Sequence, residues 1–109
     1  MSQSSTAVSE KMADAAKVSP ESYTVLFEND RVRVLEIRIK PGAKVAMHSH
    51  PAYVAYYLST AKAKLTSPDG KSEEREFKAG DVEWHDAESH EAVNTGNTEV
   101  HIIAVELKI

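Results

Sequence analysis

The chain has 109 residues, no cysteine, and 13 Lys and Arg against 17 Asp and Glu, a formal net charge of −4. This length predicts a single domain, and the missing cysteines exclude disulfides, cysteine-ligated zinc or iron–sulfur sites and a cysteine nucleophile. Any bound metal must therefore be held by histidine nitrogen and by carboxylate or carbonyl oxygen. The acidic balance argues against nucleic acid as a partner, because binding it needs a clustered basic surface.

Residues 1–20 are rich in Ser, Ala and Thr and form no apolar core of a secretion signal, since Glu10 and Asp14 interrupt them. No run of about 18 apolar residues follows, so we expect no membrane-spanning helix and a cytoplasmic protein. We interpret residues 1–20 as an N-terminal arm, disordered or ordered against a partner subunit at a dimer interface. A weak helix is predicted over Ser9–Lys17.

From Tyr23 onward the hydrophobic pattern has a period of two, which predicts strands. In Arg31–Lys40 the phase slips between Val34 and Leu35, which predicts a β-bulge or a strand that is buried on both faces. The arginines of this segment alternate outward and are interpreted as a solvated face; they are Arg31, Arg33 and Arg38. Six further strands are predicted, over Val45–His50, Tyr53–Leu58, Ala61–Thr66, Glu73–Phe77, Val82–His85 and His90–Asn94.

The last predicted strand has the clearest alternation, with an apolar face that also carries His101. Ser67–Lys71 has the composition of a hairpin turn, in which Pro68 pre-sets φ and Gly70 supplies a positive φ. Short strands with a turn every 8–12 residues, and no firm helix, predict an all-β barrel or sandwich over residues 21–109. Glu73–Phe77 is predicted to be a polar edge strand.

His48 and His50 are two apart in a predicted strand, so both project from the same face. Such a pair is able to hold one metal ion, or it sits on a polar surface. The residues around the pair bear on this choice. Gly42, followed after five residues by His48, then by His50 and Pro51, resembles the first conserved motif of the cupin superfamily.

The segment from Gly80 to Gly96 resembles the second cupin motif, with a Gly-Asp opening, His90 ten residues after Gly80, and Asn94 four residues beyond that. The resemblance covers roughly Val32 to Leu107. It implies a small single-domain cupin, which is a double-stranded β-helix or jelly-roll barrel with one metal inside it. Compared with this motif, Asp86 and Glu88 stand where the family usually has Pro and Gly.

The resemblance implies that His48, His50 and His90 are metal ligands. The family's fourth ligand, a Glu or sometimes a Gln, would stand at Val54 or Ala55, so the carboxylate is missing here. Three imidazoles accept one divalent transition metal of several kinds, Fe, Ni, Zn, Mn or Cu, and do not choose among them.

Three other side chains are predicted to act in catalysis. His101 would be an acid or base, provided that its strand face looks into the barrel. Tyr53 and Tyr56 follow the histidine pair and are candidates to bind a ligand, although Tyr56 and Tyr57 must point to opposite faces. His85 is predicted to border the mouth or, more simply, to be exposed.

Several functions follow from this pattern. A three-histidine cupin resembles the thiol and diketone-cleaving dioxygenases, which hold Fe(II), and this implies a dioxygenase-like metalloenzyme that acts on a small polar metabolite. A Lewis-acid isomerase or cyclase would use the same site, and a module that binds metal or small ligands without turnover, or a barrel without metal, are the alternatives. A homodimer is predicted because edge strands such as Glu73–Phe77 would otherwise stay open.

Overall fold

The structure, a computed structural model, describes residues 14–108. Most of these residues belong to nine strands, which form two antiparallel sheets. The elements in chain order are α1 (Ala15–Val18), β1 (Tyr23–Glu28), β2 (Val32–Ile39), β3 (Lys44–His50), β4 (Tyr53–Tyr57), β5 (Ala61–Thr66), β6 (Ser72–Phe77), β7 (Val82–His85), β8 (Glu88–Asn94) and β9 (Val100–Leu107). One sheet has the order β1-β2-β9-β4-β7 and the other has the order β3-β8-β5-β6.

The core lies between the inner faces of the two sheets, and every strand except β7 and β8 contributes a large apolar side chain or several alanines to it. Its buried residues include Tyr23, Leu35, Ile37, Ile39, Val45, Tyr53, Ala55, Tyr57, Ala61, Ala63, Phe77, Val100 and Ala104. Two antiparallel sheets that face each other over one core are the predicted all-β, double-stranded β-helix, and this prediction is confirmed.

A bulge lies where the sequence pattern slips. The register between β1 and β2 shifts between Val25 and Phe27, directly opposite Leu35 and Val34. The extra residue, Leu26, belongs to β1, while β2 itself runs on with Leu35 buried in the core and Val34 half-buried on the outer face. The bulge therefore lies in the neighbouring strand β1 and not in Arg31–Lys40 as predicted, and β2 carries apolar side chains on both faces but is buried on the inner one.

The predicted hairpin between β5 and β6 is confirmed. The Ser67 amide donates to the Lys71 carbonyl at 2.9 Å, and the Gly70 amide donates to the Ser67 carbonyl at 2.9 Å. Gly70 has a φ of 89°, a conformation that favours glycine. The hairpin leaves β6 at the edge of its sheet, as the polar composition of Glu73–Phe77 predicts.

The sequence alternation picks out an apolar face of β9 that carries His101, but in the structure the opposite face of β9 points into the core. Val100, Ala104 and Glu106 are buried toward the core, whereas His101 and Ile103 lie half-buried on the outer face of the five-stranded sheet. The alternation did not reveal the orientation, because apolar residues occupy both faces of this strand.

The first described residues pack against the barrel of their own chain. Ala15 in α1 is fully buried, and Asp14 forms a β-bridge with Ser49. Residues 1–13, with most of the predicted arm and the start of the predicted helix, lie outside the described residues, so contact of the arm with a partner stays a prediction. No helix in the described part is long and apolar enough to cross a membrane, and the cytoplasmic location stays a prediction.

Candidate metal centre

Three histidines converge inside the barrel on two neighbouring strands. His48 and His50 come from β3, and His90 on β8 lies directly opposite His48. One ring nitrogen of each lies within 4.8 Å of the others. The ring centroid of His48 is 4.8 Å from those of both His50 and His90. The fold thus brings together the three residues that the two motifs imply as ligands.

A second bulge aims the first of these histidines inward. The register between β3 and β8 shifts between Val45 and His48, so that both residues are fully buried although they are three apart. The bulged backbone also fixes the His48 ring, since Nδ1 lies 2.7 Å from the carbonyl oxygen of Ala46 and must donate to it. The strand alternation gave no sign of this bulge.

A buried carboxylate fixes the second histidine. His50 Nδ1 donates to Glu106 Oε2 at 2.9 Å, and the Arg33 guanidinium donates to Glu106 Oε1 at 2.9 Å from Nε. Arg33 in turn is bonded to both carboxylate oxygens of Asp14. A carboxylate behind a ligating imidazole is the usual means of setting its tautomer. The prediction that Arg33 belongs to a solvated face is wrong, because its side chain is 16% exposed and closes this network.

These contacts leave Nε2 of His48 and His50 as the nitrogens with free lone pairs. Nε2 of His48 accepts a hydrogen bond from the Tyr23 hydroxyl at 3.1 Å, which a metal ion at this nitrogen would replace. Metal–nitrogen lengths of about 2.0–2.1 Å require ligand nitrogens roughly 3–3.5 Å apart, so small rotations of the rings would close the cluster around an ion. The donor set fits a divalent transition metal.

The protonation state of the histidine cluster is suited to binding a cation. Burial lowers the pKa of both His48 and His90 to about 4, and the other histidines of the cluster add to the effect. Both rings are therefore neutral at physiological pH, which is the form that binds metals. Burial also raises the pKa of Tyr23 and Tyr53, so their hydroxyls remain protonated donors.

The metal-free protein is expected to lose stability as the pH falls from about 6.5 to about 4. In this window the unfolded chain protonates its histidines at their ordinary pKa of 6.5, while His48 and His90 in the folded chain do not. The unfolded state then binds more protons than the folded state, so the free energy of unfolding decreases as the pH is lowered. Urea midpoints across this range measure the effect, with His90→Ala expected to give a shallower slope; a flat wild-type profile would contradict it.

A cavity of about 70 Å³ adjoins the cluster. Its floor is apolar and is widened by small residues, Ala55, Ala63 and Ala92. Its polar side chains are Tyr23, Tyr53, Tyr57, Arg75, His85, Glu88, His50 and His90. This volume is well below that of a typical pocket for a drug-sized ligand, so the cavity suits a ligand of a few heavy atoms.

Of the side chains predicted to act in catalysis, Tyr53 reaches the cavity. Its ring centroid lies 5.0 Å from that of His50, and its hydroxyl donates to Glu88 Oε2 at 2.6 Å. Tyr56 points outward and is 44% exposed, and it is Tyr57 that lines the cavity. The structure does not bring His101 to the cluster either, because its outward-facing ring contacts Glu36 Oε2 at 2.8 Å.

The mouth of the cavity contains a polar cluster whose contacts the sequence did not predict. Glu83 accepts hydrogen bonds from the Tyr57 hydroxyl at 2.8 Å and from Arg75 at 2.9 Å, which joins β7 to β6 in the other sheet. His85 stacks on Tyr53 with ring centroids 4.7 Å apart. Of the two predicted positions for His85, the structure shows the one at the mouth and not the exposed one, because in β7 the polar residues face inward and the apolar residues face outward.

Comparison with known proteins supplies relatives for this fold. No protein-family model matches the chain. A cupin domain from Bordetella pertussis Tohama I superposes with a TM-score of 0.73 and 29% identity, covering 80% of this chain and 92% of that one. A predicted oxalate decarboxylase from Thermotoga maritima superposes with a TM-score of 0.56 and 26% identity, covering 80% of this chain and 79% of that one.

One curated protein matches in sequence, an oxalate-binding protein from Thermotoga maritima. It is 34% identical over 70 residues, which are 63% of this chain and 56% of the relative. The chain therefore matches little more than half of the length of this relative.

Proposed function

We propose that this chain, which has the double-stranded β-helix fold and is similar to a cupin domain of known structure, is a mononuclear metalloprotein that acts on a small polar metabolite in a dioxygenase-like reaction. His48, His50 and His90 hold one divalent transition metal. The observation that carries this proposal is the convergence of three buried imidazoles, at least two of them neutral at physiological pH, within 4.8 Å of one another.

A metal held by three neutral imidazoles supplies Lewis acidity and, if it is Fe(II), the redox chemistry of dioxygen. The chain's own residues supply the rest of the site. The Tyr53 hydroxyl donates its one proton to Glu88 at 2.6 Å, so its oxygen and the Glu88 carboxylate offer two acceptors that orient a polar ligand carrying a donor group. The apolar floor excludes water from the ligand, and the contact between Arg75 and Glu83 holds the two sheets together at the mouth.

Binding without turnover is the second candidate, and two observations favour it. The curated relative is an oxalate-binding protein, and Arg75 places a cationic group in the wall of the cavity. Arginine is suited to bind a carboxylate, although here Glu83 already engages part of its guanidinium. In this case a small carboxylate would bind in the cavity next to the metal and would not be chemically converted.

Metal content and oxygen consumption separate these candidates. Protein purified without a histidine tag is expected to contain about one divalent metal per chain by mass spectrometry, and absence of stoichiometric metal would contradict both candidates. The Fe(II)-loaded protein is then supplied with small thiols, diketones and oxalate. Oxygen uptake with any of them supports the enzyme, whereas calorimetric binding without uptake or product supports the binding module.

We further propose that the protein is a homodimer that pairs through the outer face of the five-stranded sheet. One row of apolar side chains crosses all five strands in register: Phe27, Val34, Val105, Val54 and Trp84. Five strands span about 20 Å at the usual spacing, and strands of about six residues are about 20 Å long. Two such faces together therefore bury roughly 800–1,000 Å², the low end for a specific interface.

Val82→Glu is expected to convert this dimer to a monomer, because Val82 lies on the proposed face and is 63% exposed. A buried, unpaired carboxylate on each side of the interface would oppose association. Sedimentation measures the mass of wild type and variant. Val25→Glu is the matched control, since Val25 is also exposed but pairs with the inward-facing Leu35; a monomeric wild type would overturn the proposal.

A further inference from the structure

Four side chains with metal-binding atoms form a square on the inner surface of β3 and β8. His48 and His50 are two residues apart on β3, and Glu88 and His90 are two residues apart on β8. In register, His90 lies opposite His48 and Glu88 lies opposite His50. Directly opposed residues have Cβ atoms about 4.5–5.5 Å apart. Three corners of this square are the histidine cluster, and the fourth is a carboxylate.

The other carboxylates around the cluster are already engaged. Glu106 lies behind His50, and its two oxygens accept hydrogen bonds from that ring and from Arg33. Glu83 accepts from Arg75 through both oxygens and also from Tyr57.

Glu88 keeps accepting capacity, because the Tyr53 hydroxyl is its one hydrogen-bond donor within the described residues. Its Oε2 atom lies 3.5 Å from Nδ1 of His90. The facing strand β4 offers no competing carboxylate, since Ala55 presents a methyl group to the cavity.

We propose that Glu88 supplies a fourth, carboxylate ligand to the metal, so that the centre consists of three histidines and one glutamate. This inference rests on the metal binding proposed above. It assigns a role to a residue at which the second motif carries a glutamate in place of the usual glycine. A carboxylate ligand also cancels one of the two charges of a divalent cation, which three neutral imidazoles leave uncompensated.

This role requires the Glu88 side chain to rotate, because the group of ligand atoms that lie within 4.8 Å of one another contains the three histidines and not Glu88. The Glu88 side chain is 31% exposed, so it can rotate toward the cluster without unpacking the core. Ligation through one oxygen leaves the other to accept the hydrogen bond from Tyr53. Ligating carboxylates are commonly held by such outer hydrogen bonds, and Tyr53 is therefore a positioning residue for Glu88.

Glu88→Gln tests the assignment, because it removes the charge and keeps the length of the side chain and an acceptor for Tyr53. Glu91→Gln is the matched control: Glu91 is also on β8 and comparably exposed, but it faces Lys44 at 3.7 Å. Affinity for Zn(II) is measured by chelator competition, and the visible absorption of Co(II)-loaded protein reports its ligand set. Glu88→Gln is expected to weaken Zn(II) binding at least about tenfold and to change the Co(II) spectrum, while Glu91→Gln changes neither.

Wild-type affinity and spectrum in Glu88→Gln would overturn the assignment of Glu88 and leave the three-histidine site intact. Because a glutamine oxygen is itself able to ligate, Glu88→Leu is measured beside Glu88→Gln. Weaker binding with an unchanged Co(II) spectrum in Glu88→Leu would overturn the assignment too, since that is the effect of a charge outside the ligand set. Failure of the wild type to bind either metal would overturn the proposed function itself. Glu88→Asp, which keeps a shorter carboxylate, is expected to recover part of the affinity, and circular dichroism of the metal-free variants confirms their fold.

Discussion

His90→Ala is expected to lose metal binding, with affinity falling by more than about 100-fold. His90 is the one histidine of the cluster that β8 supplies, so its removal leaves two histidines of a single strand and, on β8, only the proposed Glu88 carboxylate. Loss of a ligand should exceed the 10–100-fold that loss of a supporting residue outside the ligand set costs. Mass spectrometry of untagged protein and chelator competition both measure the effect.

His101→Ala is the matched control for this experiment. His101 is also partly buried and also contacts a carboxylate, Glu36, but it lies on the outer face of β9. The His101→Ala variant should therefore keep one metal per chain. A His90→Ala protein that retains stoichiometric metal would refute the grouping of the three histidines. Loss of activity in His101→Ala with full metal content would instead restore the predicted acid–base role of His101.

The strands and the metal cluster were predictable because both depend on local patterns. Alternation over two residues placed most strand boundaries within one or two positions, and the turn at Ser67–Lys71 carries its own chemistry. The two motifs add longer-range information. Asn94, for example, is buried and donates to the carbonyl oxygens of Ile39 and Thr98, each at 2.8 Å, so the motif marks a residue that ties two loops together.

The surroundings of the cluster were not predictable because they depend on which face of each strand looks inward. In β9 and β7 the outer face is at least as apolar as the inner face. Alternation alone therefore assigned the outer face of these strands to the core. Glu106 was missed for this reason, and the inward position of His85 was the less favoured of its two predicted positions. The bulge before His48 likewise arises from pairing with β8, a distant segment, and leaves no trace in the spacing of the residues.

Arg33→Ala is expected to lower the free energy of unfolding by about 3–5 kcal/mol, the usual cost of removing one partner of a buried ion pair. Glu106 is 1% exposed, and without Arg33 its carboxylate would keep only the hydrogen bond from His50. Urea unfolding of the metal-free protein at pH 7 measures the loss. Arg38→Ala is the matched control on the same strand: Arg38 is 50% exposed, its contacts are with Glu36 and Glu99, and its removal should cost about 0–1 kcal/mol.

The pH dependence and a double variant identify the cause of this loss. The hydrogen bond from Arg33 lowers the pKa of Asp14 below its ordinary 3.8, so this stabilisation is present above that pH and is lost as the pH falls through the lower folded value. The gap between wild type and Arg33→Ala should therefore narrow in strong acid. Arg33→Met combined with Glu106→Leu removes both charges and should regain much of the stability, yet bind metal more weakly because His50 loses its acceptor. Equal losses in Arg33→Ala and Arg38→Ala would mean that Arg33 does not neutralise Glu106.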